Sequence, residues 1–407
     1  MSGAYKGAQA LIRQNYSEAL YVPCSAHNLN LAGVHAVESA IEIKVFFGNV
    51  ESLYAFFSES LARWKILTEG TGILLDKLSM TRWSSRIDAI KPLAKRPRKM
   101  LAPLKNAMEN LDLTSEQLSQ AKALKKWLSS FEFVLLITIW YKTLTAVNDV
   151  SRYLQSEAIT IDDELRLIRQ LLEDLKQIRG SWLQIFQEAV AVAGPLGFET
   201  ELATKRKRKL KRFYDEASNT AYFHNSQTKE FEVNVFNVGL DSLIQQIDSR
   251  FEASRMVANM FSFIWLDNDD LSVQSKACEL AQFYPRDVNK EDLIEKICRF
   301  KNARKTIFKQ GNPLQLLNQI FEKKLERLFP YICIMLPIFS TIPVSVAEGE
   351  LSFSKLKIVK NSLRSTMGQD RVTDLLIILI EEDLAKKVSY GDVIDIWAAR
   401  KARKIHF

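Results

Sequence analysis

The sequence predicts a mainly α-helical protein, on three observations. Glycine and proline are scarce, at 14 and 10 in 407 residues, while Leu, Lys, Glu and Ile abound; helix breakers are few and helix formers many. From about residue 41 to 330, apolar side chains recur at steps of three and four, the mark of one-sided burial on a 3.6-residue spiral. Strand-like runs are confined to ALYVPC (19–24) and KEFEVNVFN (229–237). A composition of 47% hydrophobic and 26% charged residues belongs to a folded chain, and this length buries one large core or two to three domains.

In chain order, MSGAYKGAQALIRQ is a glycine-broken turn entering a short helix over 8–13. ALYVPC, continuous and rich in aromatic and β-branched residues, predicts a buried strand, and CSAHNLNLAGVHAV starts a helix behind it. Cys24-x-x-His27 invites a zinc reading, but one such pair supplies too few ligands and no CxxC or HxxxH completes the set. After the helical IEIKVFFGNVESLYAFFSESLARWKIL comes SMTRWSSRIDAIKPL. There Trp83, flanked by Arg82 and Arg86, either stacks on an unpaired base while the guanidiniums hold phosphate, or packs in a helical core. Lys95, Arg96 and Arg98 belong to KRPRK (95–99), a basic, proline-broken loop suited to phosphate contact.

FEFVLLITIWYKTLTAVNDVSRYLQS (131–156) is a long buried helix. Thr160 and Asp162 open an amphipathic one through Leu165, Ile168, Leu172, Leu175 and Ile178, closed by Gly180. KRKRKLKR (205–212) contains Lys205, Arg206, Lys207, Arg208 and Lys209. It reads as a solvated linker, a nuclear localisation signal or a duplex-phosphate contact. KEFEVNVFN alternates Phe231, Val233 and Val235 with polar residues, which predicts a lone strand or extended arm. Helices resume at residue 240, with a second basic patch at Arg299, Lys301, Arg304, Lys305 and Lys309. No fixed-period repeat occurs.

Near the C-terminus Ser345 and Glu348 form a capping-box pair, so a helix is expected from about Val346. Nothing breaks its pattern before Met367, and Gly368 is placed to end it. On it Glu350, Ser354, Lys357 and Asn361 fall within roughly a 60° arc. Leu351, Phe353, Leu356, Ile358, Val359 and Leu363 occupy most of the rest, giving a narrow polar stripe on a largely buried helix. DRVTDLLIILIEEDLAKKV (370–388) is strongly apolar on one face.

Lys and Arg outnumber Asp and Glu by 56 to 48, for a formal +8 and a pI near 9.1. That suits a polyanion partner without identifying one. Cys24, Cys278, Cys298 and Cys333 lie far apart without paired spacing, as reduced thiols of a cytosolic or nuclear protein do. No leader pattern opens the chain. The runs FVLLITIWY (133–141) and YICIMLPIF (331–339) are too short to span a bilayer. Neither a membrane nor a small-molecule substrate is expected as a partner.

The stretch PVSVAEGELSFSKLKIVKNSLRSTMGQDR resembles the C-terminal signature of hAT (hobo–Activator) transposases, P-x-S-x-A-x-x-E-R-x-F-S-x-x-K followed by L-R-S-T-M. Leu351 stands where the family has Arg. ALYVPCSAHNLNLAG is similar to the family's C-x-x-H block, most closely in the zinc-finger MYM-type protein 1-like group, with Pro23 in place of His. Thr81-Arg82-Trp83 resembles the T-R-W element of hAT insertion domains. YGDVIDIWAARKARK resembles the family's closing V-I-D-x-F-A-x-x-K-x-R-R, with Trp397 for Phe.

The resemblance implies an incomplete RNase H-like α/β core, one strand and the C-terminal helices kept, interrupted by a large all-helical insertion. Residues 1–46 would be the core remnant with the C-x-x-H block. Residues 47–330 would be the insertion with its basic linker at 205–212, and 331–407 the Glu-bearing helix with the dimerisation region. Glu350 matches the last acid of an Asp-Asp-Glu triad that holds divalent metal. His27 matches an active-site neighbour, beside the alternative of a histidine capping or packing at a strand-to-helix corner. Phe353, Leu356, Leu375, Leu376 and Leu379 are the dimerisation candidates, with packing inside their own chain as the alternative.

The family's first two aspartates lie upstream of the C-x-x-H block, and on this match they fall before Met1. One glutamate cannot hold the magnesium ions of complete members, so no cofactor is expected. The expected protein is a non-catalytic, transposase-derived nuclear homo-oligomer with non-specific DNA binding. A truncated form of an active magnesium-dependent transposase, and a helical scaffold with no DNA role, are the alternatives.

Overall fold

In the computed structural model, residues 6–78, 84–156, 159–198, 200–202, 227–264, 270–309, 311–345, 347–361, 364 and 366–399 are described. Among them the ordered elements are all helices, in two compact units, Met1–Ser345 and Val346–Phe407. The expected division at 46/47 falls inside the Ile41–Ser58 helix.

The first unit is built on the Phe131–Tyr153 helix. Ser130 starts it, its hydroxyl accepting the Phe133 N–H at 3.2 Å. Its apolar side chains cover most of the circumference, so burial on several sides is the stable arrangement. The Ser84–Lys95, Ile161–Gly180 and Trp182–Ala193 helices pack along it, as do Ser25–Glu38, Ile41–Ser58 and Ser115–Leu128. Trp127 meets Phe133 edge-on at 4.7 Å between centroids, and Phe47 meets Trp140 at 5.3 Å. Burying each such ring contributes about 1.5–3 kcal/mol. The apolar run at 133–141 thus continues into a helix long and apolar enough to cross a bilayer, but 61% of its most apolar window is buried in the protein. It is a core helix.

Both predicted strands are corrected. Residues 19–24 have no regular structure and pair with no strand among the described residues. Val22 is buried, and the next N–H, of Ser25, donates to the Val344 carbonyl at 3.0 Å. A strand needs a ladder, and a single such bond is not one. Residues 229–237 are helical: Gln227–Phe231, a π-helical turn Glu232–Asn237 and Val238–Arg250 follow one another without a break. The buried side chains there are Phe231, Val235, Phe236, Leu240, Leu243 and Ile247. Apart from the adjacent pair Val235 and Phe236 in the π turn, they recur at steps of three and four, and that helical burial overrides the local alternation.

The Ile161–Gly180 helix also differs in phase from its expected stripe. Thr160 caps it, accepting the Asp163 N–H at 3.3 Å. The residues it buries are Ile161, Glu164, Ile168, Leu171 and Leu175, while Leu165, Leu172 and Ile178 are only half-buried.

In the second unit the Ala347–Val359 and Gln369–Ile380 helices pack together, burying Val359 and Val372. The first ends at Val359, well before Met367. Asn361 turns its side-chain amide back to the Ile358 carbonyl at 3.4 Å, and short polar residues such as Asn and Ser compete with the helical ladder in this way. Asn361 is therefore off the helix and leaves the expected stripe. Gly368 does not end that helix but is the extended N-cap of the next (φ −66°, ψ 159°). Nor is the first helix largely buried, for Phe353 and Ile358 are exposed.

Candidate self-association and nucleic-acid surfaces

The Gln369–Ile380 helix carries Val-x-x-Leu-Leu-Ile-Ile-Leu-Ile, apolar on more sides than one neighbouring helix can cover. Its contact with the Ala347–Val359 helix takes Val372 fully and Leu375, Leu376 and Leu379 in part. The Lys355 ammonium donates to the carbonyls of Leu379 at 2.9 Å and Ile380 at 3.3 Å, a cation placed where the helix dipole is negative. That pairing turns Ile377, Ile378 and Ile380 outward, the first two 57% exposed.

Phe353, at 72% exposed, and Leu384 and Ile396 are also in solvent. Of the predicted dimerisation residues, then, Phe353 is open, while Leu356, Leu375, Leu376 and Leu379 are half-buried in their own unit. The outward isoleucines were missed. The available signal was the unbroken apolar run, since a helix apolar all round cannot be satisfied by one neighbour.

The nucleic-acid candidates separate. Lys95, Arg96, Arg98 and Lys99 are exposed around the buried anchors Pro97 and Met100 of a short 3₁₀ turn, Pro97–Met100. Arg86 is 6% exposed and burial depresses its basicity, so phosphate contact there would require the fold to open. Arg82 and Trp83 lie outside the described residues, as do Lys205, Arg206, Lys207, Arg208 and Lys209.

Glu350 lies on the Ala347–Val359 helix, and its side chain is outside the described residues. Among those described, no group of three or more His, Cys, Asp or Glu could hold a metal ion. The donor set that magnesium would need is not among them.

The C-x-x-H block packs through the residues between and after its two named positions. Ser25, Asn28 and Leu29 face inward along the Ser25–Glu38 helix, and the Asn28 side chain donates to the Arg250 carbonyl at 3.0 Å. His27 points to solvent. Inside, the Ser25 hydroxyl donates to Glu164, which also accepts from Ser254 Oγ at 3.1 Å. One fully buried carboxyl thus ties three helices, Ser25–Glu38, Ile161–Gly180 and Glu252–Phe261. Its second oxygen, Oε2, has no hydrogen-bond partner among the described residues. Glu164 is not singled out by the sequence pattern, although it occupies a core position of the stripe Ile161, Glu164, Ile168, Leu171, Leu175.

Residues 298–384 match the hAT family C-terminal dimerisation region. The chain carries a hAT-type C-terminal region. It is also 21% identical over 410 residues to the human "52 kDa repressor of the inhibitor of the protein kinase", covering 94% of this chain and 52% of that protein. The mouse protein of the same name is 21% identical over 411 residues, with the same coverage. The chain therefore spans about half the length of the curated relatives it matches. The exposed Ile377, Ile378 and Ile380 all lie within the matched hAT region.

Burial pushes the Glu164 carboxyl from 4.5 up to about 7, against the two hydroxyls that favour its charge. A carboxyl raised on folding adds stability that is complete below its unfolded value and is lost as pH rises through the folded one. Stability should therefore fall between pH 4.5 and somewhat above 7 by up to about 3 kcal/mol. Denaturant titrations across that window should show this slope in the wild type and a flatter one in Glu164→Gln. Equal slopes would show that Glu164 does not carry the effect.

Proposed function

We propose that this is a transposase-derived protein whose role is to assemble rather than to cut, self-associating through its hAT region. The observation that carries the reading is the outward face of Ile377, Ile378 and Ile380 in that region, because neighbouring apolar side chains left in water mark interaction sites. A helix that shows one apolar face to its own unit and another outward has the form used for helix-to-helix association. The relatives' name describes a repressor, an interaction role that an assembling helical protein is suited to fill. The reading includes residence in the nucleus, weak non-specific DNA binding and an RNase H-like origin for the segments around His27 and Glu350.

Two differently tagged copies of the full chain should purify together. Replacing Ile377 and Ile378 by Asp should cut recovery of the second copy about tenfold or more, because two buried apolar contacts are exchanged for desolvated charges. Both positions are exposed in the single chain, so its helicity should not change. Undiminished recovery would rule this surface out.

DNA binding is assigned to the exposed cations of KRPRK and, from sequence alone, to the basic residues of 205–212. In gel-shift titrations affinity should fall steeply as salt rises, and Lys95→Ala, Arg96→Ala and Arg98→Ala together should make that dependence shallower. Absence of a shift at low salt would leave a scaffold without a nucleic-acid role.

A further inference from the structure

Within the first unit, a cleft of about 750 Å³ opens where four segments meet, a volume typical of small-ligand sites. One wall is the start of the Ile161–Gly180 helix, and another is the Glu252–Phe261 helix. The end of the Lys290–Ile307 helix and the loop leading into Pro313–Glu322 complete it. We propose that this cleft binds a small phosphate-bearing anion.

The charge of the lining supports the choice. Five cations, Arg166, Arg169, Arg255, Arg304 and Lys309, face two acids, Asp162 and Asp163. Arg166 is held by Asp163 at 2.7 Å, and Arg255 is braced by Asp248 at 2.9 Å and Glu252 at 2.8 Å. These pairs stiffen the walls and leave little field of their own. Arg169 and Lys309 have no acidic partner among the described residues, and it is they that give the cleft its positive excess.

Lys309 is also held in place. Its backbone N–H donates to Gln319 Oε1 at 2.7 Å, and its carbonyl accepts from Gln319 Nε2 at 3.2 Å. The side chain therefore projects from a loop clamped to the helix that follows. Asn312 caps that helix in a reciprocal box with Gln315, so its N-terminal turn, the positive end of the dipole, lies at the cleft. Arg304 is set in the wall by donating from Nη1 to the Ile264 carbonyl at 3.4 Å.

The geometry points to a compact ligand. The cations converge from separate segments on one concavity, whereas a duplex backbone is met by cations strung along a track. Leu165, Ala258, Pro313 and Leu316 form an apolar part of the lining, which suits a phosphate carried on an organic body.

Calorimetric titration of the full chain with sodium tripolyphosphate at physiological salt tests this. Saturable one-site binding is expected, with orthophosphate much weaker because it meets fewer of the cations. Arg169→Ala and Lys309→Ala should each weaken tripolyphosphate about tenfold and leave the melting temperature of the unliganded protein unchanged, since both side chains are exposed. No binding at millimolar tripolyphosphate, or unaltered affinity in the double variant, overturns the proposal. A short DNA duplex that displaces tripolyphosphate, and whose own affinity falls in the double variant, also overturns it and assigns the cleft to nucleic acid.

Discussion

The C-terminal helices carry more apolar side chain than they can hide from water. The unit Val346–Phe407 is too small to enclose a core with apolar residues on every face. Its two main helices resolve the excess in one direction. They bury Val359 and Val372 between them, fix their register with the Lys355 ammonium on the Leu379 and Ile380 carbonyls, and leave Phe353, Ile377, Ile378 and Ile380 outside. Leaving that surface wet is unfavourable by about 25 cal/mol per Å². In the proposed self-association a second copy of the same unit covers it, one patch serving both sides of a two-fold contact.

The first unit presents the opposite situation. Its Phe131–Tyr153 helix is equally apolar, yet it is long enough and central enough for several helices to close around it. Similar sequence character therefore has two outcomes, set by how many neighbours the chain supplies. That difference separates the unit whose apolar helix is enclosed from the unit that leaves Phe353, Ile377 and Ile378 exposed. The buried Glu164 fits the same picture. In a core this dry a carboxyl is retained only by gaining hydroxyl donors and shifting toward its neutral form, which joins the C-x-x-H segment to the helical body.

Much of this was legible in the sequence. Scarce Gly and Pro with three- and four-residue apolar steps gave the helical class, and FEFVLLITIWY announced the core helix. KRPRK, expected as a proline-broken loop, is the end of the Ser84–Lys95 helix followed by a 3₁₀ turn, with its four cations exposed. The failures have physical causes. ALYVPC has strand composition, but a strand exists only with a ladder partner, which composition does not report. In KEFEVNVFN a period of two was read from three residues, and the longer pattern from Phe231 to Ile247 outweighed it. The helix through Glu350 is shorter than its pattern because Asn361, a short polar residue, turns its side chain back to the Ile358 carbonyl and competes with the helical ladder. Among the isoleucines, periodicity identified an apolar helix but could not say which face its own unit would use.

Light scattering on the intact chain, followed over a range of micromolar concentrations, reaches the central claim most directly. The account predicts a mass of at least twice the 46.7 kDa chain, and a single-chain mass once the segment after residue 345 is removed. A single-chain mass for the intact protein throughout that range would contradict it.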